Sequence, residues 1–357
     1  MILNKFNLKK KILRNRISIS PMCQYSSLKN GSPSDWHYYH LKKLMNVGAG
    51  MLVLESTAVS KNGRITDRDL TLSTKKNMVN FKKLVNFIKK NSPTSVVIQL
   101  SHAGRKGSSW IPWVKANSPL KNSKKWQTFS ASKIKKDKSW PIPRSLELNQ
   151  IKKIKEKFVN SVKFAFKAGF DGIELHMAHG YLLHQFLSPI SNKRNDIYGG
   201  NLENRCRLPL EIGEEITKIL PKNKILGARI TGLDHIKNGI NLKESIYLAR
   251  KLKKLKFDYV CISSGGIKTK TNMKFKSGFR VNIAKKIKDK VGILVRSSGG
   301  LSDLNYANKI LKKKKLDFIA IGREFIKNPM VIYQYIKKNN LNEEYIPKQY
   351  KRCFNEE

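Results

Sequence analysis

Two imidazoles and a phenol stand close together in His176-Met177-Ala178-His179-Gly180-Tyr181. They follow Phe170-Asp171-Gly172-Ile173-Glu174-Leu175, whose apolar residues alternate as in a strand. The three side chains are therefore expected just past the carboxyl end of a strand, where parallel α/β proteins bind ligands. Neutral imidazoles donate hydrogen bonds to a carbonyl oxygen, and a phenol can deliver a proton. Together they suit a site that grips an oxygen atom and protonates a nearby carbon. Three plainer readings compete. The histidines could be satisfied structural residues, the tyrosine could be core packing, or the imidazoles could hold zinc. Against zinc, no third ligand stands at a familiar spacing, and the helical zinc motif needs histidines at i and i+4.

The elements that must position these groups alternate along the chain. Segments 17–20, 51–54, 95–100, 172–175, 225–230, 259–263, 292–295 and 318–321 read as short apolar strands. Between them, 38–45, 78–90, 148–168, 205–219, 242–255, 281–287 and 303–311 carry helical periodicity. Strands that are nearly continuously apolar and alternate with helices predict a parallel barrel covered on both faces, a single (β/α)8 domain over 1–357. A doubly wound sheet is the alternative, but no GxGxxG follows the first strand. Residues 104–147 interrupt the rhythm with Trp110, Trp113, Trp126 and Trp140 and read as a long loop over the active-site face.

With 357 residues, 40% of them hydrophobic, the chain can bury a large core. Cys23, Cys206, Cys261 and Cys353 are scattered without a CxxC, which argues against a disulfide framework or structural zinc and fits a reducing cytoplasm. The first eleven residues hold no signal-peptide core, and no apolar run approaches a membrane span. The net charge of +47 suggests a polyanionic partner at first sight. Lysines account for 57 of the 72 basic residues and are spread over many helices, with Asn and Ile also abundant. This pattern fits compositional drift better than a dedicated nucleic-acid surface.

Every predicted strand end offers usable groups. Ser20-Pro21-Met22-Cys23-Gln24-Tyr25 follows the first, with room for a flat ligand against the backbone and with Cys23 and Tyr25 facing the same way. Ser56 follows the second, Gln99 closes the third and Arg229 closes the fifth. Gly299-Gly300 and Gly322-Arg323 follow the last two strands, where barrels bind phosphate with backbone amides. Gln99 and Arg229 suit the amide edge and developing negative charge of a reducible ring. A phosphorylated redox ring of this kind in a barrel is most simply FMN.

At this point the sequence resembles the old yellow enzyme family of FMN-dependent oxidoreductases, in the bacterial subclass of thermophilic-like ene-reductases and xenobiotic reductases. The likeness runs from about Ile17 to Phe354 through Ser20-Pro21-Met22-Cys23, Asp35-Trp36-His37, Glu55-Ser56-Thr57-Ala58-Val59, Gly63-Arg64-Ile65, Gln99, His102-Ala103-Gly104-Arg105-Lys106 and the 176–181 motif. It continues through Leu187-Ser188-Pro189, 195–200, Glu203-Asn204-Arg205, Ser263-Ser264-Gly265-Gly266 and Ile321-Gly322-Arg323-Glu324. The resemblance implies that Ser20 to Cys23, Ser56, Gln99, Arg229, Gly322 and Arg323 hold FMN non-covalently. It implies that His176 and His179, helped by Tyr25, bind the oxygen of an activated alkene, and that Tyr181 is the proton donor. Cys23 would lie against the flavin and tune its potential. NADPH or NADH would be the reductant in a two-step exchange. Arg352, in the terminal segment 345–357, would reach a neighbouring subunit's site, so a homodimer or homotetramer is expected, with no metal, no specific nucleic acid and no membrane partner.

The sequence departs from the family pattern at Phe354, at Asp234-His235, where Asp-Trp is usual, and at Arg296, which stands close to the phosphate loop in place of an uncharged residue. His37 and His40 mimic a metal spacing, but the resemblance makes that segment helical and metal-free. Two other functions on such a barrel are a quinone, flavin or dienoyl-CoA-type reductase and a tRNA dihydrouridine synthase. The cysteine cluster of the dienoyl-CoA-type enzyme and the helical RNA-binding domain of the synthase are not evident in the sequence.

Overall fold

The computed structural model describes residues 1–121 and 124–354. Eight parallel strands close into a barrel in chain order: β1 (Ile17–Ile19), β2 (Met51–Ala58), β3 (Ser95–Ser101), β4 (Gly172–Met177), β5 (Ile225–Leu233), β6 (Tyr259–Ser264), β7 (Leu294–Ser298) and β8 (Phe318–Ile321). The expected (β/α)8 fold is therefore the observed one. Helices follow the strands at Asp35–Met45, Lys75–Asn91, Leu148–Lys167, Leu202–Ile219, Leu242–Lys254, Val281–Val291 and Leu304–Lys312. Side-chain caps begin several of them; Thr74 Oγ1, for example, accepts from the Asn77 N–H.

Two apolar cores result. The larger lies between strands and helices, with Ile98, Leu175 and Val260 facing Phe81, Phe158 and Ile287. The smaller fills the barrel interior with Met51, Val53, Val97, Tyr259 and Phe318. An amino-terminal hairpin, Phe6–Leu8 against Lys11–Leu13, contributes Phe6, Leu8 and Leu13 to that interior core. The sequence reading had no strands in this segment, because three-residue strands among lysines carry no measurable period.

Register is fixed by aspartates that precede alternate strands. Asp171 accepts from the Val96 N–H, Asp258 from Leu226 and Asp317 from Val295, each at 2.8 Å. Each ties the start of β4, β6 or β8 to the strand before it.

The interior also holds charge. Glu174 on β4 accepts from the Gln99 amide at 2.7 Å, from the Tyr259 hydroxyl at 2.8 Å and from the Arg296 guanidinium. Arg296 stacks over Tyr259, 5.0 Å from the ring centre. Gly227 leaves space for that phenol, since a Cβ there would lie 2.2 Å from Cζ of Tyr259. Arg296 thus does not face the phosphate loop. It lies on β7 and points inward, fully buried.

Removing one member of a buried ion pair strands the other charge, at about 3–5 kcal/mol. Glu174→Ala should lose stability of that order in urea denaturation, whereas Glu174→Leu combined with Arg296→Met should lose much less. Equal losses in the two variants would show that the interior pair does not carry this energy.

Candidate active site

Strand β4 ends in a turn that brings His176, His179 and Tyr181 together. His176 is buried, while His179 and Tyr181 are half-buried. The His176 ring stands edge-on to Tyr181 at 4.7 Å between centres, and its Nε2 lies 3.2 Å from His179 Nδ1. The turn needs two successive left-handed residues, His179 at φ 57° and Gly180 at φ 72°. Only glycine fits the second, because a Cβ would sit 2.2 Å from the Gly266 carbonyl oxygen. His179 is held there by Lys106, whose Nζ donates to the His179 carbonyl at 2.7 Å and lies 4.9 Å over the Tyr181 ring.

Burial, and then the charge of Arg229, push both imidazoles well below the ordinary histidine range, so they are neutral at physiological pH. Burial, and then Cys23, push the Tyr181 phenol up, so it keeps its proton. The Cys23 thiol is raised by burial and by Glu55 and is protonated as well. Glu55 organises the segment after β1. It accepts from the Gln24 N–H at 2.8 Å and lies 3.2 Å from His37 Nε2. His37 thus serves the loop from within a helix, and the described residues hold no cluster of three or more metal-ligating side chains. Tyr25, whose phenol burial also raises, meets Trp113 of the short helix Pro112–Lys115 edge-on at 6.1 Å.

Beside these groups lies a cavity of about 590 Å³. Ser20, Met22, Arg229, Arg280, Ser298, Gly299, Gly300, Gly322 and Arg323 line it. Gly299 and Gly300, at φ 105° and 63°, bring backbone close to its edge. Arg280 donates to the Ser298 carbonyl at 3.0 Å, while Nε of Arg229 and Nε of Arg280 are buried without a partner among the described residues.

The model of the NADH:flavin oxidoreductase / NADH oxidase family matches residues 2–343. The chain belongs to this family. It is 35% identical over 99% of its length to an NADPH dehydrogenase of Clostridium acetobutylicum, covering 99% of that protein. It is 33% identical over 95% of its length to an NADPH dehydrogenase of Bacillus subtilis, covering 95% of it. Among solved structures, morphinone reductase superposes with a TM-score of 0.78 at 22% identity, over 96% of this chain and 90% of the other. A 2-naphthoyl-CoA reductase gives a TM-score of 0.84 at 20% identity, over 97% of this chain but 53% of that longer one. The chain is an oxidoreductase of old yellow enzyme type, with FMN as cofactor and a reduced nicotinamide nucleotide as donor.

The cavity of this old yellow enzyme-type barrel fits such a cofactor. Its guanidinium groups and glycine-rich edge suit a phosphate, and the unpartnered N–H groups of Arg229 and Arg280 suit an anionic ligand. The expected residues take varied places, with Arg229 deeper in its strand than the sequence reading had it. Arg229 is mid-strand, since β5 runs on to Leu233. Ser56 is buried with its hydroxyl 2.6 Å from Ser101 Oγ. Gln99 turns its NH2 group to Glu174, and because a carboxylate only accepts, its carbonyl oxygen faces away. Pro21 is half-buried between Ser20 and Met22. Arg352 is exposed on the 3-10 segment Lys348–Phe354, away from the cavity lining. Sequence reasoning missed Arg280, Lys106 and Glu174. The scarcity of arginine in a lysine-rich chain was the available signal for Arg280.

Burial, with Lys136 and Arg105 nearby, lowers the Lys106 ammonium to about 7. The unfolded chain keeps that proton up to about 10.4. Between the two values unfolding takes up a proton, so stability rises with pH, and the penalty is fully present below 7. Lys106→Met should therefore show a smaller gain in melting temperature between pH 7 and pH 10 than the parent protein. A parallel pH profile would place the Lys106 amine in solvent.

Proposed function

We propose that this enzyme reduces the activated C=C bond of electron-poor alkenes, with nitro compounds and quinones as further acceptors. One observation carries the reading: two neutral imidazoles whose nitrogens lie 3.2 Å apart, beside a phenol that keeps its proton. His176 and His179 take the carbonyl or nitro oxygen of the substrate, with Tyr25 assisting. Tyr181 gives its proton to the α-carbon. FMN held in the cavity would supply the hydride chemistry that links a reduced nicotinamide donor to the β-carbon of the alkene. The imidazole bonds strengthen as negative charge grows on the substrate oxygen, which is what lowers the barrier. Ser20, Pro21, Met22, Cys23, Ser56, Gln99, Arg229, Gly299, Gly300, Gly322 and Arg323 hold the cofactor in this reading. Cys23 would meet it as a neutral thiol, since burial and Glu55 raise that group. Small molecules are the substrates in this reading and the cytoplasm its compartment, in keeping with four free cysteines.

Tyr181→Phe should leave nicotinamide-driven bleaching of the yellow protein intact and slow its reoxidation by an enone about a hundredfold or more. His176→Ala and His179→Ala should each weaken the enone step roughly ten- to a hundredfold, with FMN still bound. Stopped-flow absorbance separates the half-reactions. Unchanged enone kinetics in all three variants would remove the assignment.

The same reading makes the protein at least a homodimer, with Arg352 of one subunit at the other's site. Arg352 is exposed, it is one of 15 arginines, and Phe354 anchors its segment with its ring 6.3 Å from that of Tyr333. Truncation before Tyr350 should impair enone turnover more than flavin content. A protein that is monomeric by light scattering, and whose truncated form is fully active, would show that this segment is only a tail.

A further inference from the structure

The hydrogen bonds around His176 and His179 form a directed chain. The Ala178 N–H donates to His176 Nδ1 at 3.2 Å, so the proton of this neutral imidazole is on Nε2. That nitrogen lies 3.2 Å from His179 Nδ1, and His179 Nε2 lies 2.5 Å from the hydroxyl of Ser263, a fully buried residue. If His176 donates to His179, then His179 Nδ1 is bare and its own proton is on Nε2, bonded to Ser263. The chain is then closed on itself, and neither imidazole has a donor left for a ligand.

A ligand oxygen held by both rings needs the other tautomer. His179 must carry its proton on Nδ1, next to Nε2–H of His176, so that both donors converge. Nε2 of His179 is then bare against the fully buried Ser263, and it needs a donor. Ser263 is the side chain in contact with it among the described residues, and a hydroxyl can reverse its direction. The exchange moves one proton between the nitrogens of His179 and changes no net charge. Both rings are neutral at physiological pH, because burial and Arg229 lower them, so the tautomer and not the charge is the variable.

We propose that Ser263 is a positioning residue that sets the tautomer of His179 and so switches the imidazole pair between a closed chain and a two-donor clamp for an anionic or polarised oxygen. The backbone holds both partners in place. Ser263 stands where the register of β6 against β5 shifts. His179 is pinned by the Lys106 bond and by Gly266, where a Cβ would lie 2.6 Å from His179 Cα. The proposal rests on the two histidines being the oxygen site, and the test separates the two ideas.

The probe is 4-chlorophenol, whose oxygen stands in for the charged substrate oxygen, added to the FMN-loaded enzyme labelled with ¹⁵N-histidine. On saturation, the His179 resonances should change from the Nε2–H to the Nδ1–H pattern. Persistence of the Nε2–H pattern in the complex would overturn the proposal without any variant being needed. Ser263→Ala should weaken phenol binding roughly tenfold or more, raise the KM for an enone and leave FMN content unchanged. Ser263→Thr, which keeps the hydroxyl, should restore binding. Weak binding in His176→Ala together with unchanged binding in Ser263→Ala would keep the oxygen site and reject the switch. Unchanged binding in His176→Ala would reject the oxygen site itself.

Discussion

The carboxylate of Glu174 inside the barrel is the interaction around which the rest is arranged. An isolated charge in such an interior is prohibitive, and it is tolerated here because three donors converge on it from three other strands. Gln99 comes from β3, Tyr259 from β6 and Arg296 from β7. The guanidinium is itself sandwiched near two rings, Tyr259 and Phe318, at 5.0 and 5.6 Å from their centres. Gln99 is the register partner of Glu174 on the adjacent strand, while Tyr259 and Arg296 reach it from non-adjacent strands, so a slip of one strand against another would break several bonds at once. Below it the hairpin residues Phe6, Leu8 and Leu13 close the interior. The bond to Glu174 also fixes the orientation of the Gln99 amide.

The turn after β4 shows the complementary economy. In the proposed reaction its imidazoles serve as donors rather than charges, and the surroundings keep them neutral. Arg229 and Lys106 are the positive neighbours of the two imidazoles, and together with burial they keep the rings neutral. The same burial keeps the Tyr181 phenol protonated, and the Lys106 ammonium over its ring adds a favourable contact with the π face. Left-handed backbone at His179 is uncommon for a residue with a side chain, and it persists because Lys106 and the Gly180–Gly266 contact fix the loop from two sides. Donor positions set by packing cost no reorganisation when charge appears on a substrate oxygen.

Much of this was legible in the sequence. Parallel strands covered on both faces must be apolar throughout, so all eight announced themselves, and the glycines after β7 and β8 fell where the cavity edge lies. The errors have a common physical origin at strand ends. Gly292 is the left-handed cap of the helix Val281–Val291 and not the start of β7, which begins at Leu294. That shift moves Arg296 from a loop into the strand, where its register partner is Cys261, also in the interior. Arg229 likewise belongs within β5, because the strand runs past it to Leu233. Glu174 was read only as part of a strand, since nothing local reveals that three partners, the nearest 75 residues away, converge on it. Lys106 belonged to a recognised motif, but its bond to the His179 carbonyl is a tertiary fact.

The distribution of positive charge separates composition from design. Of 57 lysines, Lys136 alone is buried among the described residues, whereas Arg64, Arg105, Arg205 and Arg296 are buried out of 15 arginines. A guanidinium is more weakly hydrated than an ammonium and offers several fixed donors, so it can be taken out of water where carbonyls or carboxylates await it. Arg105 donates to the carbonyls of Ile134 and Ile267, and Arg205 bonds both the Leu187 carbonyl and Glu244. Drift that replaces solvent-exposed arginine by lysine meets no such constraint. The buried arginines therefore mark positions where geometry, and not charge alone, is required; at the cavity Arg229 and Arg280 are half-buried, whereas Arg323 is exposed, as are Arg68, Arg144, Arg250 and Arg352. The net charge of +47 therefore says little about partners, while two half-buried arginines, Arg229 and Arg280, stand at the cavity.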